Sequence, residues 1–61
     1  MKTIAIVTIK PLEGKVEYGV QQDGQWLVHG IVIALEVGAD TIGHEIIAAA
    51  TADAEAKGLL N

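Results

Sequence analysis

Apolar residues recur at every second position over much of the first 35 residues, which is the period of a β-strand. Residues 3–9 are rich in Ile, Val and Thr and suit a first strand. Ile4 and Ile6 point one way, Ala5, Val7 and Ile9 the other, so both of its faces are apolar. Lys10-Pro11-Leu12-Glu13-Gly14 breaks the run: Pro11 has no N–H to donate, and Gly14 tolerates unusual dihedrals. A second strand follows over residues 15–21, where Val16, Tyr18 and Val20 alternate with Glu17, Gly19 and Gln21.

Asp23-Gly24 is the signature of a two-residue type I′ hairpin turn. It predicts a register pairing Gln22 with Gln25, Gln21 with Trp26, Val20 with Leu27, Tyr18 with His29 and Val16 with Ile31. Directly opposed residues share a face. One face therefore collects Val16, Tyr18, Val20, Leu27, His29 and Ile31, continued by Ile33 and Leu35. Periodicity alone also permits a helix over residues 25–37. The consecutive β-branched Ile31, Val32 and Ile33, preceded by Gly30, favour the strand.

The stretch GADTIGHEIIAAATADAEAKG reads as a helix. Asp40 or Thr41 can cap its N-terminus, and Gly58 is a C-terminal stop after Lys57. Ile42, Ile46, Ala49, Ala50 and Ala54 form one stripe, widened by Ile47. Six Ala between positions 48 and 56 keep the helix surface low, so another element can approach closely. The order β-β-β-α implies a single α+β domain spanning residues 1–61: a three-stranded antiparallel meander with one C-terminal helix across one face.

That arrangement leaves a second apolar face carrying Trp26, Val28, Val32 and Ala34. Either the first strand or the C-terminal Leu59-Leu60-Asn61 folds over it, or it docks a second copy or another protein. Trp26 is the sole Trp of the chain and a natural anchor for such an interface.

Composition sharpens this picture. A chain of 61 residues without cysteine has no disulfide or thiolate-metal support for a small core, which favours association. There is no Arg, and eight acidic residues against four Lys give a formal charge of −4. Direct nucleic-acid binding is therefore disfavoured, while a basic protein surface suits the charge. The acids Glu13, Asp23, Glu36 and Asp40 fall near strand ends or loops, where they form an acidic rim or an ordinary solvated surface. The N-terminal run is too short and too polar for a signal peptide, and no run approaches the ~20 apolar residues of a membrane span. A soluble, cytoplasmic protein is expected.

Catalytic chemistry finds little purchase. Ser and Cys are absent, and the four Thr lie in no triad context. His29 and His44 have no HxxxH or HExxH spacing, so no metal or cofactor is expected. His29 is expected on the core face, bonded to Tyr18 or backbone. Asp53 and Glu55 are two residues apart on a helix and do not share a face. The segment IALEVGADTIGHEI has the outline of a helix-turn-helix, but its second helix is acidic rather than basic.

The spaced set Ile6-Val7-Thr8, Pro11, Gly14, Glu17 and Val20, continued by Val37, Thr41 in place of a Ser, Glu45 and Ala49, resembles a small phage-encoded anti-CRISPR family that inhibits type I-F surveillance complexes. The resemblance covers about two thirds of the chain and implies a non-enzymatic acidic inhibitor, working in the host cytoplasm, that occupies a basic DNA-binding surface of a Cas subunit. This chain departs from the family where Leu27, Val28, Val32 and Ile33 stand in place of an acidic run, and where a strand is read in place of a helix. The residues expected to form a partner or dimer interface are Trp26, Val28 and Val32 at an apolar centre, with Glu17 and Asp23 at its rim. A homo-oligomeric assembly subunit is the alternative, and a DNA-binding regulator a third.

Overall fold

The computed structural model describes residues 1–38 and 43–61. Three strands form one antiparallel sheet in the order β1 (Lys2–Lys10), β2 (Lys15–Gln22), β3 (Gln25–Ala34), followed by one helix, α1 (Gly43–Ala56). This is the α+β meander with a C-terminal helix that the period-2 pattern implies. The β-branched run at 31–33 lies in β3, so the competing helix over residues 25–37 is excluded. The expected caps Asp40 and Thr41, and the stripe residue Ile42, lie outside the described residues.

Each turn follows from its local chemistry. Pro11–Glu13 make one 3-10 turn that ends on Gly14, whose φ of 63° is left-handed and whose N–H donates to the Pro11 carbonyl at 3.2 Å. Asp23 and Gly24 adopt φ values of 53° and 79°, as a type I′ turn demands. The helix stops at Gly58, φ 71°: Gly58 N–H donates to the Glu55 carbonyl at 3.0 Å and Leu59 N–H to the Ala54 carbonyl at 2.9 Å. This bond pair is a Schellman motif, which satisfies carbonyls that the helix itself leaves unpaired.

The core lies between the sheet and α1. Val16, Tyr18 and Val20 of β2 and Ala50 and Ala54 of α1 are fully buried, with Ile46 beside them. Ile4 and Ile6 of β1, Ile31 and Ile33 of β3, and Leu59 and Leu60 pack around them half-buried. The alanines of α1 keep its inner surface low, and the Tyr18 hydroxyl spans from the central strand to Asp53 at 2.5 Å. Ile47 stays exposed, so the helix stripe is narrower than expected.

The β2–β3 register departs from the expected one after its second pair. Gln22–Gln25 and Gln21–Trp26 form as the turn predicts, but Val20 then meets Val28, Tyr18 meets Ile31 and Val16 meets Ile33. Two irregularities each insert one residue into β3, the first at Leu27 and the second across His29-Gly30, where Gly30 has φ 81°. A one-residue insertion reverses which face each side chain occupies, and a second restores it. Ile31 and Ile33 therefore keep the core face. Leu27 is bulged out and exposed, His29 is exposed rather than opposite Tyr18, and Val28 shares the Val20 side rather than the outer one. A similar irregularity at Val7 sets Ile9 opposite Val16, not on the outer face with Ala5.

Candidate protein-docking face

The outer face of the sheet is built by alternation from all three strands. Opposed pairs place Thr3 beside Gln21, Ala5 beside Gly19 and Thr8 beside Glu17, while Trp26, Val32 and Ala34 continue across from Gln21, Glu17 and Lys15. No described helix lies on this side; α1 packs on the face of Tyr18. Trp26 is 45% exposed and Val32 53% exposed, values that leave half of each apolar side chain open.

Trp26 owes its position to Gly19. A Cβ at Gly19 would come 2.5 Å from Trp26 Cζ3, 2.5 Å from the Val28 carbonyl oxygen and 2.9 Å from His29 Cα. The indole thus reaches, through Cζ3, over a strand position that has no side chain, and the bulged backbone closes on the same spot. His29 stands edge-on to the indole, with ring centroids 5.8 Å apart. The bulge that removes His29 from the core is what delivers it to Trp26.

Gln21, which faces Trp26, lies four residue rises along β2 from Glu17, which faces Val32, so these two centres are roughly 13 Å apart. Around Val32 and Glu17 is a shallow cavity of about 140 Å³, lined also by Thr8, Lys10, Glu13 and Lys15. Lys10 and Lys15 oppose each other directly across the β1–β2 hairpin. Glu13 stands 4.0 Å from Lys10. Like charges in opposed positions repel, and the neighbouring carboxylates offset this only in part.

The structure therefore brings Glu17 and Val32 together and sets Trp26 and Asp23 at the other end of the sheet. It turns Val28 to the helix side. The alternation within each strand does not reveal the two lysines as neighbours, because the hairpin through Pro11–Gly14 is what pairs them. Nor does it reveal the clamp between sheet and helix. Asp53 Oδ2 accepts from the Tyr18 hydroxyl at 2.5 Å and from Lys57 Nζ at 2.6 Å. The Lys57 ammonium and the Tyr18 hydroxyl hold the Asp53 carboxyl below its ordinary value. Burial, then the bond to Asp53 and its charge, push the Tyr18 hydroxyl up to about 12.

Among the described residues no three His or carboxylate side chains converge as metal ligands, and no helix is long and apolar enough to cross a membrane. Compared with known protein families, curated proteins and solved structures, the chain gives no match.

Proposed function

We propose that the chain is a non-enzymatic binding module that occludes a partner protein through the outer face of its sheet. The observation that carries this reading is Trp26: a half-exposed indole laid over Gly19 on a face that no described element covers. Half-exposed aromatics on an open sheet serve as anchors, since a docking surface buries them at small entropic cost. Asp23 and Glu17 flank this surface, and the net charge of −4 steers it toward a basic partner. Together with the resemblance to anti-CRISPR inhibitors, this makes the DNA-binding surface of a type I-F surveillance complex the first target to test, in the cytoplasm of a phage-infected cell. The strand across Gln25–Ala34 departs from the helix that the resemblance implies there, so the contact residues are this chain's own.

The test is target-DNA binding by the purified surveillance complex with and without the chain. DNA binding is expected to fall when the chain is added and to recover with Trp26→Asp. DNA binding that persists at saturating excess, or a variant as inhibitory as the native chain, contradicts the reading. A homo-oligomeric assembly subunit is the second reading, favoured by the mixed charges at Lys10, Lys15, Glu13 and Glu17, which let two outer faces meet without net repulsion.

A further inference from the structure

We infer that the outer edge of β3, which no described strand pairs, joins over residues 31–35 with the same edge of a second copy, in antiparallel sense about a two-fold axis. This is a separate contact from the outer face, and it stands whether or not that face docks a partner.

Among the described residues the two edges of the sheet differ. β1 carries Lys2 and Lys10 at its ends and an irregularity at Val7, Lys2 Nζ donates to the Asn61 carbonyl, and α1 lies nearest this strand. Charges, bulges and covering elements are the devices that keep an edge from pairing with another chain. β3 has no charged residue along all ten of its positions. Its irregularities are confined to the half near Trp26; from Ile31 onward it pairs regularly with β2. Residues 31–35 read Ile-Val-Ile-Ala-Leu, with neither Pro nor Gly, so every backbone N–H on the open side can donate.

A second copy fits this edge in charge and in side-chain pattern. An axis through Ile33 opposes Ile31 with Leu35 and Val32 with Ala34. Ile31, Ile33 and Leu35 are only half-buried in one chain, and pairing continues the core-side face across the junction. The same axis opposes Glu36 with Gly30, beside His29, so no acid of this acidic chain meets another. The product is a six-stranded sheet whose outer face carries two copies of Trp26.

The experiment measures solution mass and residue-resolved amide exchange on the same samples from micromolar to millimolar concentration, with Trp26 emission recorded in parallel. Mass is expected to double with concentration, the outward-facing amides of residues 31–35 to slow at least tenfold, and Trp26 emission to stay unchanged. Ala34→Glu, which opposes Lys15 within its own sheet, is expected to remain folded by circular dichroism and to weaken association at least tenfold. A mass that stays single throughout overturns the proposal. So does a doubled mass with those amides still exchanging freely and Trp26 shifted to the blue, which instead assigns self-contact to the outer face. Unchanged association of folded Ala34→Glu also overturns it.

Discussion

Tyr18 is the residue on which the two layers meet. Its ring is fully buried and its hydroxyl emerges to bond Asp53, so one side chain serves both the core and the helix clamp. It is the sole Tyr of the chain, and a spectrophotometric titration reads it alone. The folded protein is expected to titrate near 12, against about 10 in denaturant. The sign of the linkage follows: below pH 10 the hydroxyl is protonated in both states, and between about 10 and about 12 only the unfolded chain ionises, so stability falls across that window. Asp53 acts at the acid end. Its folded value is lowered from 3.8, so its contribution is present above that pH and is lost as pH falls through the lowered value. Tyr18→Phe is expected to remove the alkaline loss and to lessen the acid one, as denaturant melts across pH will read. The alternation of Val16, Tyr18 and Val20 makes the burial of Tyr18 legible from sequence. Its bond to Asp53 is not, because that depends on how α1 is placed over β2, and no pattern within either element encodes the crossing.

β3 is the element where pattern reasoning carries part of the way and then stops. The Asp23-Gly24 turn sets the first two pairs correctly, and the β-branched run marks the strand. The bulges are hidden from the alternation itself, which does not say where one extra residue is accommodated. Gly30 and Gly19 are the signals available: a glycine inside a strand points to a positive φ or to close approach of another group, and here each does one of these. The consequence reaches the candidate site directly, since the bulge moves Val28 inward and brings His29 to Trp26. Gly19→Ala places a methyl where the indole and the Val28 carbonyl now lie. The backbone of β3 cannot yield as a flexible side chain does, so the variant is expected to lose about 1–3 kcal/mol in chemical denaturation, with an altered Trp26 emission. An unaltered emission at native stability would show that the indole does not rest on this glycine.

The described residues form two layers, a sheet and a helix, and none of them covers the outer side of the sheet. Among the described residues the fully buried side chains come from β2 and α1, and the opposite side of the sheet leaves Trp26 and Val32 half-exposed, Val32 beside an opposed lysine pair. Trp26 is the largest apolar side chain left half-open, on a face that no described element covers, which is why the outer face carries the functional reading. The apolar character of that face is legible from the two-sided strands; the lysines within it are not, because they arrive by hairpin geometry. The most direct test of an open docking face is iodide quenching and emission of Trp26 at a dilution where the solution mass is that of one chain. The predicted result is a red-shifted, quenchable indole. A blue-shifted indole that resists quenching in the single chain would mean that the chain covers its own outer face, and the docking account would fail.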